Sequence, residues 1–525
     1  MHNMILKKFA KAGAVLAMTL ITSSTVIATA FAATPFSTPK NQFLEAVITA
    51  DDTVAIQKST IMDASSSFLP DPDAEYTYEW DFGDGNKNEG EEVLHIYKNP
   101  KEYTVTLRII SDKNEESVVS KNIYAHKKMI LLLTDKKDSK ILIQNLSDYA
   151  ANQGVYIKTL DSFGSASEFI SGEILTKKLS ESSDYIKKSL QIVTWTKANT
   201  GMNALSRFIQ ATQDTEQINF SQKSITVLTD DVSGYSSQIK RQFQNVSPKN
   251  IIITQESGVH LLVDNFTSAE FIEALSQKGY EHEVLTESSF SIRPWNFVSY
   301  FLSVLVEKGI AADTLALLLL LPVIATVVAF MKQIIGLTTM GIYTPVVITL
   351  SFMIIGIYFG LLTLVSVLLI GGVTRHLLRK VRLLFIPKMA IVMVLVSLTL
   401  IFILIITDLL GIYDATFFSH AIFPMVILST LVEKFVSIKT EKGLVSALTL
   451  MGETMLVAIT AFIVVGGEVN IGFTIIDWNF IRNLILNYPE LIFLLIGINI
   501  LLGRWSGLRI LEYVRFREVI RHIEE

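Results

Sequence analysis

The order of apolar and polar residues divides the chain near residue 296. Beyond it, apolar runs of about twenty residues follow one another, and this is the length of helix that crosses a bilayer core. We predict a seven-helix transmembrane bundle, with spans at residues 310–331, 342–358, 361–378, 390–410, 415–432, 444–465 and 484–502. The alternative is five crossings, with the short second and third runs folded as a re-entrant hairpin. Residues 297–306 are too short to span and predict an amphipathic helix at the membrane interface.

Residues 42–126 show a shorter period. The segments TYEWDF and YTVTLRI alternate apolar and polar side chains, which is typical of half-buried strands. Turn-forming residues lie between them, including Asp71-Pro72-Asp73 and Gly83-Asp84-Gly85-Asn86. The pattern predicts a small antiparallel β-sandwich.

Residues 128–285 alternate apolar runs with helical patterns. The runs MILLLT, VYIKTL, LQIVTW, ITVLTD and NIIIT have the length and composition of buried strands. Strands alternating with helices predict an α/β Rossmann-like domain with a mostly parallel sheet. Sites in such folds lie at the carboxyl ends of the strands. The polar residues at those ends are Thr134, Asp135, Thr196, Thr229, Asp230 and Asp231.

The N-terminus predicts export. Lys7, Lys8 and Lys11 precede an apolar stretch, and Ala30-Phe31-Ala32 has the small-x-small form of a signal-peptidase site. We expect a cleaved signal peptide at residues 1–32, and an uncleaved anchor helix is the alternative. In both cases the domains that follow are expected outside the cytoplasm.

Composition narrows the protein class. Half of the 525 residues are hydrophobic, 18% are charged and the mean hydropathy is +0.43, which is too high for an ordinary soluble enzyme. The absence of cysteine excludes disulfides, thiolate metal sites and thiol nucleophiles. The formal net charge of −5 gives no indication of nucleic-acid binding.

Positive charges orient the predicted spans in the lipid bilayer. With seven crossings and the first span starting outside, fourteen Lys and Arg residues fall in inner segments, whereas only Arg482 falls in an outer loop between spans. This asymmetry follows the positive-inside rule. We therefore expect a multi-pass plasma-membrane protein at residues 296–525, with a basic cytoplasmic tail.

The exported half contains no recognisable catalytic motif. It has no G-x-G-x-x-G after the first strand, no Walker A loop and no G-x-S-x-G. His260 and His282 lie far apart, without an H-x-H or H-E-x-x-H pattern. We expect ligand binding rather than an enzyme, with no cofactor and no metal.

One segment carries a family resemblance. Trp80-Asp81-Phe82-Gly83-Asp84-Gly85, followed by Tyr103-Thr104-Val105-Thr106-Leu107, is similar to the polycystic-kidney-disease (PKD) domain over residues 42–126. The resemblance implies an extracellular, non-catalytic β-sandwich. It also implies structural roles for Trp80, Asp81, Gly83, Asp84, Gly85 and Tyr103. A calcium ion at Asp71, Asp73, Asp81 or Asp84 is the alternative to an ordinary Asp-rich turn.

A second resemblance covers residues 300–515. It rests on Gly336-Leu337-Thr338-Thr339-Met340-Gly341-Ile342-Tyr343-Thr344-Pro345, on Phe423-Pro424-Met425-Val426-Ile427-Leu428, and on Glu433-Lys434-Phe435. These motifs resemble the bacterial seven-transmembrane domain that is commonly fused to an inactive transglutaminase-like domain. The resemblance implies the architecture and a pathway with peptide-ligase proteins. Here PKD and α/β modules stand where the usual partner domain is expected.

Few charged residues fall inside the predicted spans. Glu453 is the tenth residue of its span, roughly 14 Å deep, where a carboxylate costs on the order of 3 kcal/mol. It is either a proton or substrate site or an interhelical hydrogen bond that fixes packing. His420 and Asn499 are weaker candidates, and Asp313 and Asp408 are expected to be hydrated near the outer surface.

Glu433 and Lys434 begin a charged inner loop, which is either solvated or a docking site for a cytoplasmic partner. Together these patterns predict a bacterial multi-pass membrane protein whose exported modules bind an unknown extracellular or envelope ligand or protein without catalysis. The rival hypothesis is a transporter or exporter component for a peptide-like product, with Glu453 as its intramembrane site.

Overall fold

The structure, a computed structural model, describes residues 43–71, 74–212, 218–287, 296–378, 384–410, 415–470, 475–476 and 478–515. The predicted signal peptide lies outside the described residues, as do Asp73 and the basic residues Arg379, Lys380, Arg382, Arg517 and Arg521. The chain forms two compact units, Met1–Ala125 and His126–Glu525.

The first unit is a β-sandwich. One sheet has the strand order β1-β7-β6-β3-β4, and β2 pairs with β5 in the other. The strands are β1 Thr53–Ala55, β2 Thr60–Asp63, β3 Tyr76–Asp81, β4 Lys87–Glu89, β5 Glu92–His95, β6 Lys101–Ser111 and β7 Glu116–His126. From Tyr103 onward, alternate residues of β6 are buried, as the period of YTVTLRI predicts. Trp80, Phe82, Tyr97 and Leu107 form its core.

The second unit begins with the α/β domain, residues 126–287. Its sheet has the order β13-β12-β11-β10-β8-β9. The strands are β8 Lys128–Thr134, β9 Val155–Asp161, β10 Gln191–Trp195, β11 Ser224–Leu228, β12 Asn250–Thr254 and β13 His282–Leu285. Five are parallel, and β13 is antiparallel. β10, β11 and β12 are buried at every residue, because helices cover both faces of the sheet.

In the described part of this domain, seven α-helices connect and cover these strands: α1 Lys140–Asn152, α2 Glu168–Glu181, α3 Ser183–Lys188, α4 Thr200–Ala211, α5 Val232–Val246, α6 Val259–Asp264 and α7 Ser268–Gln277. Counted along the chain, the parallel strands lie in the order 2-1-3-4-5. The direction of winding therefore reverses between β8 and β10. In open α/β sheets, ligands bind at the carboxyl ends of the strands beside such a switch point.

The membrane domain, residues 296–515, is helical. Its helices are α8 Phe297–Glu307, α9 Ala312–Phe330, α10 Tyr343–Ile355, α11 Ile357–Leu378, α12 Phe385–Leu409, α13 Ala415–Lys442, α14 Leu444–Val464, α15 Phe480–Asn487, α16 Ile492–Gly503 and α17 Ile510–Arg515. A π-helical turn, Met331–Ile335, extends α9. β14 Val469–Asn470 pairs with β15 Ile475–Ile476 after α14.

Within the described residues, five helices are long and apolar enough to cross a membrane: Ala312–Ile335, Ile357–Thr374, Ile386–Leu409, Thr416–Lys442 and Leu444–Val464. The segments Phe480–Asn487 and Pro489–Gly503 would form a sixth span if counted together, although they are bent by 105°. The bend occurs where the predicted seventh span contains Pro489, which lacks a backbone N–H and disfavours a continuous helix.

The predicted second span, residues 342–358, is wrong as a continuous helix. α10 ends at Ile355, Gly356 has a φ of +81°, and Tyr358 already belongs to α11. Thirteen residues make α10 about 20 Å long, which is shorter than a bilayer core. The alternative of a re-entrant hairpin is also not found, because α11 alone has 22 residues.

The α/β domain and the membrane domain share one hydrophobic core. Ile170 and Ile174 of α2 lie in a buried cluster with Phe352 and Ile355 of α10. Next to it, a Cβ atom on Gly356 would overlap the carbonyl oxygen of Ala166. Glycine is therefore required at this position both by its positive φ and by the close approach of the two backbones.

Candidate functional site

A cavity of about 560 Å³ lies between the α/β domain and the membrane domain, within the range of small-molecule sites. Its upper wall includes Asp135, which follows β8, and Lys197, which follows β10. The backbone N–H of Lys197 donates to Asp135 Oδ1 at 2.7 Å. The two strand ends beside the switch point thus meet in the cavity wall, and the predicted strand-end residue Asp135 is part of it.

Asp135 is a largely covered carboxylate of this wall that is not in an ion pair within the described part of the chain. Ser171 Oγ lies 3.4 Å from its Oδ2, and among the described residues no side-chain nitrogen of Lys, Arg or His lies within 4.0 Å of it. Burial, followed by the charge of Glu168, raises the pKa of Asp135 to about 7 against the opposing Lys197 contacts. The carboxyl group therefore exchanges its proton near neutral pH.

Two ion pairs join the domains around the cavity. Glu168, in the first turn of α2, pairs with Arg482 of α15. Lys197 Nζ lies 2.7 Å from Glu468 Oε2 in the segment after α14. Burial lowers the pKa of Lys197, but the hydrogen bond and charge of Glu468 outweigh it, and the pKa is raised. Both pairs place one charge on each domain, so they hold the cavity walls together.

Asp313 closes the cavity at the start of α9. Its side chain is 14% exposed, pairs with Arg207 of α4 at 2.9 Å and accepts a hydrogen bond from Asn203. The expectation of a hydrated Asp313 is therefore wrong, because the α/β domain covers this helix end. Arg207 also pairs with Glu173, and His420 Nε2 lies 3.6 Å from the same carboxylate.

The lower wall of the cavity is apolar. Leu315 and Leu319 of α9, Phe352 of α10 and Phe359 of α11 line it. Leu319 lies seven residues into α9, about 10 Å below its first residue. Tyr358 also lines the cavity and is 58% exposed. The cavity thus combines a charged wall with an apolar wall that reaches the surface of the membrane domain.

A second cavity, of about 830 Å³, shares Glu168, Lys197 and Glu468 with the first. It contains the other predicted strand-end residues Thr196, Thr229, Asp230 and Asp231. Asp231 caps α5, since its Oδ1 accepts from the N–H of Gly234 at 2.8 Å. Thr134 is fully buried beneath the strand end.

Glu453 lies elsewhere, on α14. Its Oε2 accepts hydrogen bonds from the backbone N–H of Thr338, at 2.6 Å, and from the hydroxyl group of Thr338. Thr454 Oγ1 accepts from the N–H of Met340 at 3.1 Å. Thr338 and Met340 belong to a non-helical segment, residues 336–342, which we call the α9–α10 loop. Glu453 therefore holds this loop through both of the donors that Thr338 offers.

Lys434 lies close to the same segment, because its Nζ donates to Thr344 Oγ1 at 3.0 Å in the first turn of α10. Glu433 beside it is exposed. Asn499 binds Thr326 Oγ1 at 2.8 Å between α16 and α9. The structure thus places Glu453 against the α9–α10 loop and Lys434 against the turn of α10 that follows it. His420 lies beside Glu173, and neither these two residues nor Asn499 line the cavity.

The PKD-motif residues organise a turn and the core. Asp81 Oδ1 accepts from the N–H of Gly83 at 3.0 Å, which is the leading cause of the lowered pKa of Asp81. Burial raises the pKa of Asp84, but hydrogen bonds from Asn86 and from His95, 3.0 Å away, outweigh it. Trp80 Nε1 donates to Gly90 O at 2.9 Å, Tyr103 donates to Asn99 O at 2.9 Å, and Gly85 has a φ of +94°.

No group of three His, Asp or Glu side chains that could hold a metal occurs within the described residues. In the sandwich, Asp71 pairs with Lys113 at 3.0 Å and Asp81 with Lys87 at 3.2 Å, whereas Asp84 pairs with His95. These three carboxylates are directed to separate partners rather than to one ion.

Sequence reasoning missed Glu168, Glu173, Arg207, Glu468 and the pairing of Arg482. Arg482 had one signal, since it is the single basic residue in a predicted outer loop between spans. A charge that violates the positive-inside pattern needs a partner or a function. Its partner Glu168 is 314 positions away and could not be found from local pattern.

The helical content and the sandwich agree with comparisons to known families. Residues 302–520 match the family described as seven transmembrane helices usually fused to an inactive transglutaminase. Residues 45–125 match the PKD domain. Both resemblances expected from the sequence are confirmed, and the protein is a membrane protein that carries a PKD domain.

Solved structures are similar to the sandwich segment. A carbohydrate-binding module of the β-sandwich superfamily is 28% identical, and the match covers 17% of this chain and 36% of that one (TM-score 0.15). The PKD1 domain of Vibrio anguillarum Epp is 26% identical, covering 16% of this chain and 95% of that one (TM-score 0.14). The PKD1 domain of the Vibrio cholerae metalloprotease PrtV is 25% identical, covering 16% and 96% (TM-score 0.14).

Proposed function

We propose that this protein is a non-enzymatic membrane receptor. Its α/β domain and membrane domain bind a ligand in the cavity between them, and α10 conveys binding to the α9–α10 loop. The observation that carries the proposal is the position of the cavity, at the switch point of the sheet and walled by charges from both domains. The PKD domain supplies a further recognition module at the envelope.

The contacts of α10 support a helix that conveys ligand binding to the α9–α10 loop, rather than one that only anchors the α/β domain. At its carboxyl end, the Ile354 carbonyl accepts the Ser167 hydroxyl at 2.5 Å, next to the cavity. At its amino end, Thr344 contacts Lys434, and the preceding loop is held by Glu453. One rigid helix about 20 Å long therefore connects the cavity with the loop. A ligand that moves α2 relative to α10 changes the contacts at both ends.

The orientation is part of the proposal. Counting α10 and the bent pair α15–α16 as crossings gives seven, and the basic residues then follow the positive-inside rule. The sandwich and the α/β domain lie outside the cytoplasm, and the C-terminus lies inside.

Cysteine labelling tests orientation directly, because the natural chain has no cysteine. In intact cells, a membrane-impermeant maleimide should label Gln244→Cys in the α/β domain. It should label Lys439→Cys at the end of α13 only after permeabilisation. The reverse pattern would exclude the proposed orientation.

The relay is tested with Ile342→Cys, an exposed position that ends the α9–α10 loop. Replacing Glu168 with Gln removes the charge that pairs with Arg482 and should change the maleimide rate at this cysteine several-fold. Val445→Cys, which is 78% exposed at the start of α14, is the control and should keep its rate. Equal rates at Ile342→Cys with and without Glu168→Gln would exclude the relay.

Transport of a peptide-like product is the second candidate. It is favoured by the α9–α10 loop, which interrupts the helical path and is held by Glu453, while Lys434 binds the first turn of α10 next to it. Discontinuous helices of this kind form sites in transporters. In that case Glu453→Gln should abolish flux in vesicles at normal expression. Unchanged flux would assign Glu453 to packing of the loop.

A further inference from the structure

The cavity described above has two chemically different walls that sit one below the other. The charged wall comes from the α/β domain and from the helix ends that touch it, and the apolar wall comes from α9, α10 and α11. A small polar ligand would leave the apolar wall without a partner, and an apolar ligand would leave the charged wall without one. The shape therefore fits a molecule with both characters.

Asp135 gives the charged wall a position for a cationic head group. Its described ionisable residues comprise five carboxylates and four cations: Asp135, Asp138, Glu168, Asp313, Glu468, Lys137, Lys197, Arg241 and Arg482. Glu168, Glu468 and Asp313 pair with Arg482, Lys197 and Arg207 across the domain boundary. Asp135 is left with hydrogen bonds from one backbone N–H and one hydroxyl group. A carboxylate offers about four acceptor positions, so Asp135 has capacity for further donors.

The apolar wall favours a chain that enters from the bilayer. Leu315 and Leu319 continue the cavity down α9, and Phe352 and Phe359 face it from α10 and α11. Tyr358 lines the same cavity and is more than half exposed on the membrane domain. Tyrosine is a typical residue of the membrane interface. An acyl chain can pass this side chain from the lipid phase without crossing water.

From these observations we propose that the cavity binds an amphiphile with a primary-ammonium head group, which places the ammonium on Asp135 and the apolar chain along Leu315, Leu319 and Phe352. The inference rests on the proposed receptor function and names the class of its ligand. Phosphatidylethanolamine is the simplest lipid of this class. A soluble amine shares only the head-group chemistry.

Native mass spectrometry of the full-length protein tests the inference. The probes are phosphatidylethanolamine, phosphatidylglycerol with the same acyl chains, and O-phosphoethanolamine. Phosphatidylethanolamine should be retained most strongly, and Asp135→Asn should weaken its retention about tenfold, since a charge-assisted contact is lost. Asp148→Asn, an exposed carboxylate of α1 that does not line the cavity, is the matched control and should retain the lipid.

Leu319→Trp is the second variant, because it fills the apolar wall without touching Asp135. It should lower retention of the lipid and leave binding of O-phosphoethanolamine unchanged. Equal retention of the two lipids by the natural protein, or equal retention by Asp135→Asn and Asp148→Asn, would overturn the inference. Binding of O-phosphoethanolamine as tight as that of the lipid would overturn it as well and would assign a soluble amine.

Lipid retention and the labelling rate at Ile342→Cys test the amphiphile site and the receptor function separately. The labelling rate at Ile342→Cys reports the coupling between cavity and loop without any ligand. A preserved coupling with no lipid selectivity would refute the amphiphile and leave the receptor function standing. A lost coupling with selective retention of phosphatidylethanolamine would refute the relay and leave a lipid site.

Discussion

The hydroxyl group of Ser167 donates to the carbonyl oxygen of Ile354 at 2.5 Å and accepts from the N–H of Ile170 at 3.2 Å. One side chain therefore caps α2 of the α/β domain and binds the last turn of α10 in the membrane domain. Gly356 follows directly, where the backbone passes Ala166 without room for a Cβ atom. This junction holds the cavity and α10 in one geometry.

Gly356→Ala should destabilise the second unit. An L-residue at a φ of +81° and a ψ of 152° costs about 1–3 kcal/mol, and the new methyl group must also displace Ala166. Gly372→Ala in α11 is the control, because its Cβ meets no atom within 4 Å and the helix gains propensity. Thermal unfolding in detergent should show a lower midpoint for Gly356→Ala and an equal or higher midpoint for Gly372→Ala. Equal losses would refute the tight junction.

Asp135 predicts a pH dependence with a definite sign. The folded-state pKa of about 7 lies above the usual value of 3.8, so the folded state holds the proton more tightly. This group's contribution to stability falls as pH rises from about 4 to about 7 and is constant above that. The advantage of Asp135→Asn over the natural protein should therefore grow across this window, to at most about 4 kcal/mol. Denaturation of both proteins between pH 4 and pH 8 measures it, and a constant difference would contradict the shift.

Glu453→Ala should loosen the α9–α10 loop and cost about 1–2 kcal/mol, because both donors of Thr338 lose their acceptor. Glu453→Gln should cost less, since its carbonyl oxygen can still accept one of them. Glu433→Ala, at an exposed position of α13, is the control and should be near neutral. If Glu433→Ala and Glu453→Ala had the same effect on the unfolding midpoint, Glu453 would not anchor the loop.

Gly83 and Gly85 give a matched test of the PKD turn. Both have positive φ, at +72° and +94°. A Cβ on Gly83 would lie 2.6 Å from the Thr104 carbonyl oxygen, whereas a Cβ on Gly85 meets nothing within 4 Å. Gly85→Ala should therefore cost only about 1–2 kcal/mol, for placing an L-residue at positive φ. Gly83→Ala should cost more, because its Cβ also overlaps the Thr104 carbonyl oxygen. Urea unfolding of the full chain distinguishes them, followed by Trp80 fluorescence in a background where the other four tryptophans are replaced by Phe. A larger loss for Gly85→Ala would contradict the packing of Gly83 on β6.

The strand ends of the α/β domain were predictable, because apolar runs of strand length fix where each strand stops, and Asp135 follows the first of them. No local pattern encodes the strand order. The hydrogen bond from the Lys197 N–H to Asp135 could therefore be found only in the structure. In the same way Asp313 has the local sequence of a hydrated helix start, and only the packing of Arg207 against it reveals its burial.

The break at Gly356 was also hidden. Glycine is common inside membrane helices, and hydropathy places the boundary between the predicted second and third spans at residues 359–360, after the observed break. The break is imposed by the α/β domain, whose Ala166 carbonyl oxygen occupies the space a Cβ would need. Long-range contacts of this kind, such as Glu168 with Arg482, determine the candidate site and lie outside any sequence window.

In the proposed receptor the cavity is coupled to the α9–α10 loop, and hydrogen exchange measures this coupling directly. The amides of Thr338 and Met340 are held by Glu453 and Thr454, so their exchange reports on the loop. Arg482→Gln, which breaks the ion pair at the cavity, should accelerate exchange in residues 336–342 several-fold and leave the central strand Ser224–Leu228 unchanged. Unchanged exchange in residues 336–342, with the ion pair broken, would contradict the account.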